Sequence, residues 1–400
     1  MIKNTKTCFF CGKCFILFFI ILFIFLFFYN VSPLWVCAEG ADGGNDLQQT
    51  IEEQIGKLDL QALQDYVDSL QGFDNLPIAE RLLVYIKGAN FDYAGFAKEL
   101  TSVLFAEVGE IIPAFATITA ITLLSGLIST LKSTTLGQTS SVMISIITYV
   151  AALIPLIGVL TEIFKVCATS AEGMQRQMEL VFPLMLTLMA ASGSSVSAAI
   201  CRPAVAFFSG SILSIIRSIV FPMTMTIILF SMAGKLTNDL KISRFTAFFK
   251  SINKWIIGVC VSVFGIFFTL QGITAATYDG VVRRAAKYAI GNGVPIVGGF
   301  LSGGFDLAVA GGILIKNSLG SMSIFLMIAV LFEPLALLIS VNLLLRLVSA
   351  ITQPFGESKI SDFLGETAEN LHYCTASLLF TAFLYFLSVM IMIFSTEALF

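Results

Sequence analysis

Four charged residues stand inside runs apolar enough to cross a membrane: Arg217, Asp306, Lys316 and Glu333, with Gln271 and Asn342 as uncharged companions. A charge in such a place costs at least about 2.5 kcal/mol on insertion scales, so it usually faces protein or water. Arg217 precedes Pro222 by five residues and Glu333 directly precedes Pro334. That matching placement gives one expectation, an Arg217–Glu333 intramembrane pair; the plainer expectation leaves each residue near an interface, snorkelling. Other chemistry lacks its residues. His372 is the single histidine, which excludes a His-Glu-x-x-His zinc site and leaves little scope for a histidine-based triad. Gly234-Lys235 is followed by Leu236 rather than Ser or Thr, with no glycine five residues earlier, so a phosphate-binding loop is absent. Cys8, Cys11 and Cys14 have ligand-like spacing, but a structural zinc site normally takes four ligands on an ordered scaffold. The chain is therefore expected to be no enzyme and to hold no metal and no cofactor.

The elements that position these residues follow from composition. Hydrophobic residues make up 57% of the 400 and charged residues 12%, against roughly a quarter charged in soluble domains; mean hydropathy is +0.91. The lipid bilayer is the first partner this implies. A net charge of −3 gives no ground for nucleic acid as another. Four of the eight cysteines, Cys167, Cys201, Cys260 and Cys374, fall in or beside apolar runs, where Cys acts as a small hydrophobe, and no disulfide framework is implied.

Lys3, Lys6 and Lys13 precede the apolar run Cys14 to Tyr29, and Val36-Cys37-Ala38 supplies small residues at a signal peptidase site. Residues 1–38 are expected to be a signal peptide cleaved after Ala38; an uncleaved anchor fits the same run, and lipidation at Cys37 fits less well because Val36 is bulky. Residues 39–110 then form an extracytoplasmic amphipathic segment. Leu47, Ile51, Ile55, Leu58, Leu63, Tyr66 and Leu70 recur at helical spacing, predicting one helix ended by Gly72, and a second follows from Ile78 to Ile86. The apolar face needs a partner, the membrane surface, or the other helix.

Residues 111–400 are expected to be a multi-pass membrane domain, an all-α polytopic transmembrane helical bundle of about seven to nine crossings. The runs are Ile111 to Leu131, Val142 to Ile163, Leu180 to Ile200, Pro203 to Gly234, Trp255 to Thr277, Gly291 to Gly320, Ser321 to Leu345 and Tyr373 to Phe394. Lys235, Lys241, Arg244, Lys250 and Lys254 argue for a cytoplasmic loop, whereas Arg283, Arg284 and Lys287 follow after a single further span. The two clusters conflict, and orientation stays open.

An internal repeat fits the prolines. Pro183 and Pro222 are 39 residues apart, as are Pro295 and Pro334, and the pairs are offset by 112. The same offset lays Ala191 to Ala199, with Ser192, Gly193, Ser194 and Ser195, on Gly303 to Gly311, with Gly304 and Asp306 and just after Gly298 and Gly299, giving repeats of about 142–254 and 255–372. The four prolines are then expected to break their helices. Broken, small-residue segments at matching places line cavities in many transporters; small-xxx-small packing between helices needs the same residues.

The stretch Leu270-Gln271-Gly272-Ile273-Thr274-Ala275-Ala276-Thr277-Tyr278-Asp279-Gly280-Val281-Val282-Arg283, continuing through Ala286-Lys287, Gly291-Asn292 and Val294-Pro295-Ile296-Val297-Gly298, resembles the stage III sporulation protein AE family. Leu314 to Gly320, Ala190 to Gly193 with Ser197 to Ala199, Gln353-Pro354 and the helix Gln54 to Leu70 carry the same resemblance, over nearly the whole chain. It implies a role in endospore formation, as the large polytopic member of a set made in the mother cell from one operon. The implied partners are the other stage III sporulation A proteins, including an ATPase and ring-forming subunits, and indirectly stage II sporulation protein Q. The implied setting is the mother-cell membrane around the engulfed forespore, with a channel or secretion-like conduit as the assembly's task. The resemblance brings no catalytic residues.

Overall fold

The computed structural model describes residues 44–70, 77–86, 93–132, 138–236, 242–267, 298–355 and 358–397. The leader with its cysteines, Pro295, Gln271 and the 283–287 cluster lie outside the described residues. Every regular element among the described residues is helical.

The polar N-terminal segment forms three short helices, α1 (Gly44–Gly56), α2 (Gln61–Asp68) and α3 (Ile78–Ile86). The single helix expected up to Gly72 is interrupted after Gly56, where Lys57 and Leu58 donate to Gln54 and Ile55 in tight turns. Gly56 is a weak helix former and Asp59 offers the backbone an alternative acceptor.

Next come α4 (Tyr93–Lys132), α5 (Gln138–Ala191) and α6 (Ser195–Phe207). α6 runs through two π-helical turns, Phe208–Ile212 and Ile216–Val220, into α7 (Phe221–Leu236). α8 (Ser243–Phe267), α9 (Gly298–Thr352), a short 3-10 turn (Gln353–Phe355) and α10 (Ser358–Glu397) complete the chain. Among the described residues, five helices are long and apolar enough to cross a membrane: Ile146–Ala191, Gly210–Lys235, Ser243–Phe267, Leu307–Thr352 and Lys359–Phe394. Val108–Leu124 of α4 is a shorter apolar stretch.

The expected run Ile111 to Leu131 overlaps that shorter stretch, and two pairs of the other expected spans each share one helix. Val142 to Ile163 and Leu180 onward share α5, 54 residues long. The polar residues between them stay helical through exposed Lys165–Glu162 and Gln175–Glu179 pairs, while Gln177 donates to the Ser323 carbonyl at 2.7 Å. Likewise Gly298 to Thr352 is one helix of 55 residues.

The expectation that the prolines break their helices is corrected for those described. Pro183 and Pro334 lie inside continuous α5 and α9. Pro222 follows the π turn Ile216–Val220, a widened stretch placed where its ring would otherwise collide with the preceding turn. A proline costs a helix one hydrogen bond and a local clash, which packing against neighbouring helices absorbs.

α5 and α9 run antiparallel, with the end of α5 opposite Gly312 of α9, and α10 returns beside α9. The register is marked by Gln177 on Ser323, by Gly173 against Val330, and by Ser349 with Ser361 at the far turn. At about 1.5 Å per residue such helices reach roughly 80 Å, well over twice a bilayer's hydrocarbon thickness of about 30 Å. Their two halves differ. Toward the α9–α10 turn, Met143, Ile147 and Ile154 of α5 and Ile339, Leu343 and Leu347 of α9 are exposed, as are Phe245 and Trp255 of α8. We call this the open half. Toward the α5–α6 turn, α1 and α3 pack on α9 and α2 packs on α5, and Ile51, Ile55, Leu63, Tyr66, Val67, Ile78 and Leu82 are buried. This is the sheathed half.

Candidate functional site

The small-residue cluster makes the turn between α5 and α6. α5 ends at Ala191; Gly193 takes φ of 84°, and Ser194 and Gly193 donate to the carbonyls of Met189 and Ala190. These are the two bonds of a Schellman ending, whose left-handed position favours glycine. Ser195 then opens α6. Against this turn lies α9. A Cβ built on Gly312 would stand 2.6 Å from the Ser192 hydroxyl. Ser192 is itself tied to the Leu188 carbonyl at 2.7 Å, so it has no room to give. Ser192 of the turn thus touches α9 at Gly312, one residue beyond the expected stretch Gly303 to Gly311. The matching segment Gly298, Gly299, Gly303, Gly304 and Asp306 is continuous helix in α9, unlike the turn at 192–194.

The sheath docks on the same place. Gln54 of α1 donates to the Ala308 carbonyl at 2.9 Å, and a Cβ on Gly311 would meet Gln54, Ile51 and Thr50. One element further, the Tyr66 hydroxyl donates to the Gly173 carbonyl at 3.0 Å, with the Arg176 guanidinium 6.0 Å from its ring centre. Burial pushes the Tyr66 phenol up to about 12, and the Arg176 charge opposes this. On the outer face, Glu53 is held below the usual carboxylate range by its bond with Lys57 at 2.6 Å.

The intramembrane charges are sorted differently from the expectation. Arg217 pairs with Glu172 of α5 at 2.8 Å, both partly exposed, while Glu333 is exposed. The expected Arg217–Glu333 pair is thus corrected: the α5–α7 packing brings Glu172, not Glu333, within reach. An exposed pair of this kind contributes about 0–1 kcal/mol. Lys316, fully buried, donates to the Ile393 carbonyl at 2.7 Å, near the C-terminal end of α10, where a helix favours a cation. Asp306 lies in the first turns of α9. Asn342 donates to the Ala368 carbonyl and accepts from Arg346, which also meets His372 at 3.3 Å. Glu366 takes Lys235 at 3.3 Å and a hydrogen bond from Ser231. Among the described residues no three His, Cys, Asp or Glu side chains are grouped to hold a metal ion.

One feature escaped the reading of charges and glycines. Along α10, Thr367, Asn370, Cys374, Ser377, Thr381, Tyr385 and Ser388 recur every three or four residues, and all are buried. The hydroxyls of Thr367, Ser377, Thr381 and Ser388 donate to carbonyls four residues back in their own helix. Across from the row stand two polar nodes. In the sheathed half, the Tyr385 hydroxyl lies beside Ser323 and Gln177 without meeting hydrogen-bond geometry with either, and Gln177 Oε1 is also unmatched. In the other, Asn253 of α8 donates to Thr224 of α7 at 3.0 Å, and Thr224 and Cys167 lie beside Cys374. Its part from Cys374 to Ser388 was legible within the run Tyr373 to Phe394.

The family described as Stage III sporulation protein AE matches residues 80–396. Stage III sporulation protein AE of Bacillus subtilis (strain 168) is similar, at 25% identity over 313 residues, covering 78% of this chain and 78% of that protein. No solved structure matches the chain.

Proposed function

The chain belongs to the stage III sporulation protein AE family, and on that premise we propose that it is the permease-like core of a membrane complex of endospore formation. In this reading it sits, multi-pass, in the mother-cell membrane around the forespore and carries out no chemistry of its own. Other stage III sporulation A proteins supply the ATPase and the ring, and stage II sporulation protein Q is reached indirectly. Sporulation as the setting and helices fit for a membrane are the firm part.

The observation that favours a core over a mere assembly hub is the use made of the N-terminal helices. A hub would offer the apolar face of α1–α3 to partners; here Ile51, Ile55, Leu63 and Tyr66 spend that face on α5 and α9 of the same chain. The chain's own bundle is thereby completed, while Gln48, Glu52, Glu53 and Asp65 remain outside. Deleting residues 39–72 and purifying the remaining proteins of the complex separates the two. Under the core reading the deleted chain loses thermal stability and its partners still associate with what inserts; dispersal of the complex around a normally stable membrane domain would favour the hub.

A further inference from the structure

We propose that the polar row of α10 is the wall of a hydrated path, taking water and small uncharged polar solutes; the solute part rests on the permease-like reading, the hydration does not.

Close packing alone asks only for small side chains, and Ser377 or Thr381 would satisfy it. It does not ask for Asn370, Tyr385 and Gln177. Each is at most 1% exposed; the Asn370 amide nitrogen has no protein partner, and the Tyr385 hydroxyl and Gln177 Oε1, set beside each other and Ser323, keep hydrogen-bonding capacity to spare. Asn253 Oδ1, equally buried, adds a further acceptor from α8. Donors and acceptors thus stand unmatched on three helices, at both ends of one row. Apolar residues of the same shape would have avoided that cost, and water is the partner that buried polar groups of this kind otherwise recruit. Between the nodes the hydroxyls of Ser377 and Thr381 give their protons to their own helix and keep oxygen lone pairs as acceptors. From Asn370 to Tyr385 the row covers roughly 22 Å of helix at about 1.5 Å per residue.

The chemistry of the row selects what it can carry. Its members are hydroxyls, a carboxamide, a thiol and a phenol, with no carboxylate or ammonium among them. An ion passing along it would lose its hydration without a compensating charge, whereas a solute with hydroxyl or amide groups exchanges water for equivalent partners.

Cys374 lies in the row and Cys201, also buried, lies on α6, which makes the native chain its own reporter. The full-length protein in lipid vesicles is treated with 2-hydroxyethyl methanethiosulfonate, a small neutral polar reagent, and labelling is resolved by peptide mass. Cys374 is expected to react at least about tenfold faster than Cys201, Thr381→Leu to slow it about tenfold, and Thr381→Ala to hasten it. Equal labelling of Cys374 and Cys201, or labelling indifferent to both Thr381 variants, overturns the path; the Ala variant keeps this test valid if Leu disturbs folding. Glycerol-driven swelling of the same vesicles reads the other premise. Labelled Cys374 without glycerol passage keeps the hydrated row and defeats the permease-like reading, whereas glycerol passage with unlabelled Cys374 keeps that reading and defeats the row.

Discussion

The open and sheathed halves of α5 and α9 both carry apolar stripes, although α5 is more polar in its sheathed half through Glu172, Gln175, Arg176, Gln177 and Glu179, and the two halves meet different surroundings. In the open half, Ile154 is 69% exposed and Leu343 66%, a surface matched to hydrocarbon. In the sheathed half, Phe182 and Leu319 are fully buried, and the helices approach closely enough that Gly312 has no space for a methyl group. The difference teaches that hydropathy marks which residues avoid water but not what they meet instead. Lipid tails are as apolar as Leu, so a lipid-facing stripe and a protein core draw on the same residues.

The contrast is broken most severely by adding bulk. Gly312→Leu is expected to destabilise the protein by about 1–3 kcal/mol or more, since Ser192 cannot yield. Gly158→Leu in the open half, where nothing lies within 4 Å, is expected to change stability by less than about 0.5 kcal/mol. Thermal unfolding of the two variants in detergent measures the gap, and equal losses would mean the halves are packed alike.

Charge tests the same division from the lipid side. Leu347→Arg places a second cation beside Arg346 on the exposed stripe of α9, at an expected cost below the roughly 2.5–3.5 kcal/mol of a helix centre because the side chain can snorkel. Gln61→Arg, on the outer face of the sheath, should leave insertion unchanged. Protease protection of the membrane-integrated fraction reports both, and insensitivity to Leu347→Arg would place water rather than lipid against that stripe.

The smallest effect concerns the sheath's attachment. Tyr66→Phe removes the bond to Gly173 at an expected cost of about 1 kcal/mol, read as faster amide exchange in α2. Because the folded-state phenol is raised to about 12 from an unfolded value near 10, its contribution is complete below about pH 10 and is lost as pH climbs through 12. The Phe variant should lack this dependence, and an identical profile in both proteins would show that Tyr66 does not titrate in place.

Several features were legible in the residues alone. Ile51, Ile55, Leu63 and Tyr66 recur at helical spacing, and each is buried as that period requires. The apolar run Tyr373 to Phe394 lies within one helix, α10. Less legible was where helices end. Pro183 and Pro334 read as breaks because a proline disrupts an isolated helix, whereas in the bundle neighbouring helices hold the backbone through it. The partner of Arg217 was out of reach for a similar reason: Glu172 lies 45 residues away on another helix, and no local pattern encodes which helix packs there.

The chain's periodicities and composition were enough to make it a helical, membrane-fit protein and to choose the inward residues of each amphipathic segment, because those depend on neighbours three or four positions apart. Which half of α5 and α9 faces hydrocarbon, where α1–α3 dock, and whether the row on α10 meets empty polar valences depend on contacts between helices remote in sequence. Such contacts are settled by shape and register along the whole bundle, and no single helix carries that information.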